Sequence, residues 1–238
     1  MPTLIDSYSE SNADSGEGSL QFGGTLKLGQ SFTGNGRVLD SAKFYIRKAG
    51  SPPGTIVAEV YAHSGTFGTS SIGTGSPLAV SDAVTATNLP SSLGLVDFTF
   101  SGANRITLSD GTKYVIVVSY SDAGSGGSNN VRLVWDESSP THNGNFVFYS
   151  EGTGWGSNST RDLPFYVYID PTLSKTVSDV ASMTDSIARG ISRTILETAS
   201  SAIMLVASVA LLIPGKTQSP IVASVKNYLR RGSRISDL

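Results

Sequence analysis

Two histidines, His63 in VYAHSGTFG and His142 in SSPTHNGN, are the chain's only side chains with an ordinary pKa near neutrality. Either would act as a general base if the fold brought it a carboxylate and a hydroxyl. Neither sits in a GxSxG elbow or any other spacing that specifies such a partnership. Both lie among Ser, Gly and Asn, the composition of a polar surface loop. No HExxH, paired-histidine or EF-hand spacing occurs, so no metal is expected. Asp122, Asp136 and Glu137 fall in expected loops. Calcium is the chemistry such carboxylates offer, and solvation is their ordinary state. No carboxylate pair is singled out for glycoside hydrolysis. Gly65–Gly75 and Gly124–Gly127 lack the lysine and following helix of a phosphate loop and read as hairpin loops. With no cysteine, disulfides, thiol catalysis and thiolate-bound metals are excluded. No cofactor motif is present, and the chain reads as a non-enzyme.

Aromatic side chains offer a different chemistry. Tyr45, Tyr61, Trp155, Tyr166 and Tyr168 are expected to point outward. Trp155, Tyr166 and Tyr168 are the candidate glycan-binding set, since sugars use apolar stacking with a few placed hydrogen bonds. The same residue types also serve protein interfaces. Asn158-Ser159-Thr160 is a glycosylation sequon.

The elements that would position these residues are short strands. Ala42, Phe44 and Ile46 alternate with Lys43, Tyr45 and Arg47; Phe165, Val167 and Ile169 alternate with Tyr166 and Tyr168. This period of two puts one set inward and the other outward. Tyr114–Tyr120 (YVIVVSY) is apolar on both faces and reads as a central strand. Further strands are expected at 28–33, 56–63, 78–82, 96–100, 105–108, 131–135 and 145–149. Their spacing and Gly/Pro/Asn turns predict a mainly β, two-sheet antiparallel sandwich of jelly-roll type over 28–170. Residues 1–27, rich in Ser, Gly and acid, read as an extended N-terminal arm that straps a neighbour by strand addition.

The composition breaks near Asp170. Residues 1–170 hold 23 of the 26 glycines and 19 of the 20 aromatics. They carry 9 basic and 15 acidic groups, a balance of −6, against +4 for residues 171–238 (8 basic, 4 acidic). An acidic module does not suit phosphate backbones, so nucleic acid is not an expected partner. In 171–215 apolar residues recur every three or four positions, including Ile187, Ile191, Ile195, Ile203, Val206, Val209 and Ile213. That is a long C-terminal α-helix, of roughly 37 residues and on the order of 55 Å. Pro214-Gly215 stops it, and a basic tail fills 216–238. No charge falls between Glu197 and Lys216. This stretch needs burial, either against copies of the same helix or in a bilayer crossed by 198–215. Residues 1–10 have neither the basic n-region nor the apolar h-region of a secretory signal.

The segments Gln30–Thr33 (QSFT), Leu39–Phe44, Gly50–Gly54, Val57–Gly65, Phe98–Phe100 and Ile106–Tyr120 follow the order of motifs in choice-of-anchor R β-sandwich domains, which the chain resembles over about 28–170. Similar modules occur in virus-like and surface proteins, some beginning with an arm like Ile5–Asn12 (IDSYSESN). The resemblance implies a surface or virion-type accessory module joined to a variable attachment segment, and it brings no catalytic residues. The expected function is a non-enzymatic subunit that self-assembles through its C-terminal helix into a fibre, spike or virion. The alternative is a glycan-binding surface adhesion module, membrane-anchored by 198–215. Both place the protein on an extracellular particle or cell surface.

Overall fold

A computed structural model describes residues 2–14 and 16–171. The expected helix (171–215), the tail (216–238) and the assembly residues Ile187, Ile191, Ile195, Ile203, Val206, Val209 and Ile213 lie outside the described residues. So does the candidate membrane span 198–215. Among the described residues, no helix is long and apolar enough to cross a membrane.

The described chain is mainly β. Its strands are β1 (Thr3–Tyr8), β2 (Gly16–Leu20), β3 (Thr25–Thr33), β4 (Arg37–Ala49), β5 (Thr55–Ser64), β6 (Ile72–Val80), β7 (Val84–Thr85), β8 (Gly94–Thr99), β9 (Thr107–Leu108), β10 (Lys113–Ser119), β11 (Asn130–Trp135), β12 (Phe146–Ser150), β13 (Gly154–Asn158) and β14 (Phe165–Ile169). They form two antiparallel sheets. The first runs β1-β14-β4-β11-β2, with β8 and β9 also on β4; the second runs β13-β12-β3-β10-β5-β6, with β7 also on β5. β4 is the spine of the first sheet. β14 pairs with its Leu39–Phe44, β11 with Ile46–Ala49 and β8 with Ser41–Ile46.

The sheets share one apolar core. Ala42, Phe44 and Ile46 of β4 and Phe165, Val167 and Ile169 of β14 meet Phe32, Val60, Ile116 and Val118 of the second sheet. The period-two reading therefore assigns the inward faces of β4 and β14 correctly. β10 is buried on both faces, as its unbroken apolar run requires. The reason is a curl in the second sheet: β13 and β6, at opposite ends of its strand order, come together. Trp155 of β13 lies so close to Gly73 of β6 that a Cβ on Gly73 would sit 2.6 Å from its ring. Under Trp155, Tyr61, Val115, Val117 and Val147 form a second, smaller cluster.

Residues 1–27 do not stand apart as an arm. β1 pairs with β14 from Thr3 to Tyr8, and β2 pairs with β11 from Gly16 to Leu20. Tyr8 and Leu20 are part of the core. Glycine and serine in β2 (GEGSL) and the Asp6-Ser7 pair in β1 (TLIDSY) hid these strands from a reading by β-propensity. The outer edge of β1 is also poorly suited to adding a further strand. Its register slips between Leu4 and Asp6, and the Ser7 N–H is taken by the Asp6 carboxylate at 2.9 Å. Such bulges and capped donors blunt an edge.

Candidate functional site

His142 is not a solvated loop residue. Its side chain is only 8% exposed and sits in a polar network that crosses both sheets. The backbone N–H of Gly144 donates to Nδ1 at 3.0 Å. Nδ1 must therefore be an acceptor, and Nε2 carries the proton of the neutral ring. Nε2–H donates to Asp6 Oδ1 on β1 at 3.0 Å. The Gln30 amide of β3 donates to Nδ1 at 3.2 Å and to Asp162 Oδ1 at 2.6 Å. Gln30 Oε1 in turn accepts the Leu163 N–H at 3.1 Å. Asp162 Oδ2 accepts the His142 N–H at 2.7 Å.

Asp136, at the end of β11, completes the arrangement. It exchanges two backbone hydrogen bonds with Asp162, at 2.9 and 3.0 Å. Its carboxylate accepts the Tyr8 hydroxyl and the N–H groups of Ser138 and Ser139. Burial and the Asp136 carboxylate push the Tyr8 phenol up to about 12. Burial also holds the Asp162 carboxyl above its ordinary range, against the pull of its two donors. Chemically the network is a staple. Both nitrogens of His142 are engaged with protein groups, so the ring has none left to take a proton from a substrate.

His63 forms a smaller tie. Its Nε2 lies 2.9 Å from the hydroxyl of Ser71, which is fully buried. Burial and the Lys113 charge hold its pKa below the ordinary value.

The predicted glycan-binding aromatics are not brought together. Trp155 stands on β13 in the second sheet, while Tyr166 and Tyr168 stand on β14 in the first. Trp155 packs edge-on against Tyr61 (5.0 Å) and Tyr149 (5.3 Å), so it caps the smaller cluster. The Tyr166 hydroxyl donates to Glu10, and the Lys43 ammonium lies 5.7 Å from the Tyr168 ring. Tyr61, expected to point outward, is 4% exposed because Trp155 covers it.

The loop carboxylates are also engaged. Asp136 is buried rather than solvated; Glu137 takes the Trp135 indole N–H and the Arg161 guanidinium, both at 2.9 Å; Asp122 caps the Gly124 N–H at 2.8 Å. Among the described residues, no three His, Cys, Asp or Glu side chains converge to hold a metal ion. Asn158 ends β13, its Oδ1 accepting both the N–H and the hydroxyl of Thr160 at 2.8 Å.

Concavities flank the core among the described residues. A groove of about 760 Å³ runs along β1, with Ile5–Ser9 as one wall and Thr33–Asn35, Phe67 and Thr141–Asn143 opposite. A cleft of about 410 Å³ opens between β2 and β13, floored by Trp135, Phe146 and Phe148 and rimmed by Asn158 and Arg161. Sequence reasoning found neither. Their residues lie far apart in the chain, and the Asp6–His142 contact spans 136 positions. One weak signal was present: Leu4, Ile5 and Tyr8 put three apolar or aromatic side chains within five residues of a segment otherwise rich in Ser and acid.

No family model matches the chain, and no curated protein matches it. Among solved structures, it is similar to the cysteine protease and lectin-like domains of Cwp84, a surface layer associated protein of Clostridium difficile. Identity is 14%, the TM-score is 0.40, and the likeness covers 67% of this chain and 37% of that one. The chain thus spans little more than a third of that structure's length.

Proposed function

We propose that this protein is a non-enzymatic structural subunit: a jelly-roll-type sandwich displayed on the outside of a fibre, spike or virion whose copies join through the segment after residue 174. The carrying observation is the division of the chain. A compact unit ends at Ser174, and the sequence beyond it holds an 18-residue stretch, 198–215, without one charge. Burying a single Leu or Ile is worth roughly 1.5–3 kcal/mol, so a stretch rich in them favours association over exposure. The inward ties of His142, His63, Asp136 and Asp162 support a structural use of the polar residues. Among the described residues, every buried side-chain nitrogen and oxygen has a hydrogen-bond partner.

Analytical ultracentrifugation of the full chain and of a fragment ending at Ser174 tests the proposal. The full chain is expected to sediment as a discrete oligomer without detergent, and the fragment as a monomer. A full chain that is monomeric without detergent would overturn it. A full chain that is recovered only in liposomes would replace it with the membrane-anchored reading.

A further inference from the structure

The groove along β1 has a lining chemistry of its own. Asp6 is its one carboxylate, and Asn12, Asn35 and Asn143 add three side-chain amides. Each amide offers an acceptor and two donors. Phe67 supplies an aromatic ring.

Two of these groups are held in place before any ligand arrives. Asp6 Oδ1 accepts the Ser7 N–H and the His142 Nε2–H, at 2.9 and 3.0 Å, and Oδ2 faces the Thr33 N–H at 3.4 Å. Its side chain remains 22% exposed, so the carboxylate keeps an edge toward the groove. A carboxylate has about four lone-pair sites, which leaves capacity for a ligand hydroxyl after these three donors. Phe67 is fixed by the Lys113 ammonium 4.4 Å from its centroid and by the tilted His63 ring at 5.9 Å.

The same features select among ligand classes. Asp6 is the only Asp, Glu, Lys or Arg in the lining, and the nearby Lys113 ammonium is already engaged by the Thr33 hydroxyl at 2.8 Å and the Phe67 ring, so an anion would meet the Asp6 carboxylate before an unshared cation. An ammonium would gain one carboxylate already shared among three N–H groups. An extended peptide seeking to add to β1 meets a bulge at Ile5 and a Ser7 N–H already taken. A neutral polyol fits best. Its hydroxyls both donate and accept, its ring C–H face packs on an aromatic ring, and a bond to an ionised acceptor is among the stronger hydrogen bonds. The volume lies within the ~300–1,000 Å³ range of small-molecule sites.

We infer that this groove binds a neutral saccharide, with Asp6 accepting from sugar hydroxyls, the three asparagines hydrogen-bonding around it and Phe67 stacking on a ring face. The site is separate from the Trp155, Tyr166 and Tyr168 positions, and it does not depend on self-assembly.

Saturation-transfer NMR and calorimetry on the full chain test this with maltotriose, cellotriose, mannotriose and triacetylchitotriose, and with sialyllactose as the anionic control. At least one neutral trisaccharide is expected to bind with a Kd of about 1 mM or tighter, and more tightly than sialyllactose. Asp6→Asn should weaken it about tenfold or more. Because Asp6 also serves the staple, Phe67→Ala and Asn143→Ala carry the same test at partly or fully exposed positions. Each should weaken binding severalfold while leaving the melting temperature within about 2 °C. The inference is overturned if no neutral trisaccharide binds at about 10 mM, if sialyllactose binds best, or if Phe67→Ala and Asn143→Ala leave the affinity unchanged.

Discussion

Gln30 sits at the branching point of the buried network, so its loss should be felt beyond its own contacts. Gln30→Ala would leave Asp162 Oδ1 and the Leu163 N–H without partners in the interior. Stranding buried polar groups costs about 1–3 kcal/mol each, and more when one is charged. Urea unfolding should show Gln30→Ala destabilised by about 2–4 kcal/mol, whereas Thr153→Ala, on an exposed side chain, should lie within about 0.5 kcal/mol of the parent. The carboxyl groups give the pH profile two opposed contributions. Burial raises Asp162 above its ordinary 3.8. The native state therefore holds a proton that the unfolded chain has lost, and this group's stabilisation falls as pH rises from 3.8 through its folded pKa. Glu17 runs the other way. Burial pushes it up, but the Arg47 and Arg132 guanidiniums outweigh burial and hold it below 4.5. Its stabilisation is complete above 4.5 and is lost as pH drops through the folded pKa. Glu10 follows Glu17, lowered by the Tyr166 hydroxyl. Melting temperatures between pH 2.5 and 7 should therefore show a shallower acid limb for Glu17→Gln than for the parent (pH values spanning the carboxylate range). An unchanged limb would remove the two ion pairs from the account of acid stability.

Strands with inward Phe, Ile or Val every second residue, such as β4 and β14, were legible because their own side chains make the core. β2 (GEGSL) and β13 (GWGSN) were not, and the cause is packing. Trp135 lies across Gly16 and Gly18, and the Phe148 ring lies over Gly156, so an aromatic from a neighbouring strand fills the place of the missing side chain. The residue that erases β-propensity is the one the partner ring requires. The groove was illegible for a different reason: its two walls come from β1, the end of β3 and two loops, joined only by long-range contacts. Two expectations follow for these elements. Trp155→Ala should uncover Tyr61, Val115, Val117 and Val147. It should cost about 2 kcal/mol, less than the ~3–5 of a fully buried Trp because Trp155 is partly exposed. Calorimetric melting would check the drop. Removal of residues 1–8 should do more, since β1 brings Tyr8 to the core and Asp6 to the staple. A fall of about 10 °C or more in melting temperature is expected; an unchanged value would restore the arm reading of this segment.

At the scale of the molecule, the acidic module of residues 1–170 precedes a basic segment, −6 against +4. If the proposed association rests on apolar burial, raising salt from about 0.05 to 0.5 M should leave the oligomer of the full chain intact, because screening weakens exposed charge pairs only. Dissociation at high salt, followed by ultracentrifugation, would point to charge pairing between module and tail instead. The strand pairing also fixes where the module begins and ends: Thr3 lies opposite Ile169 on adjacent antiparallel strands. Such partners stand roughly 5 Å apart, so both doorways open at one pole. A cassette with that layout can be spliced into a surface hairpin of an unrelated host without stretching either joint. Tension applied to the two ends would peel β1 from β14 one rung at a time, never loading the whole ladder at once.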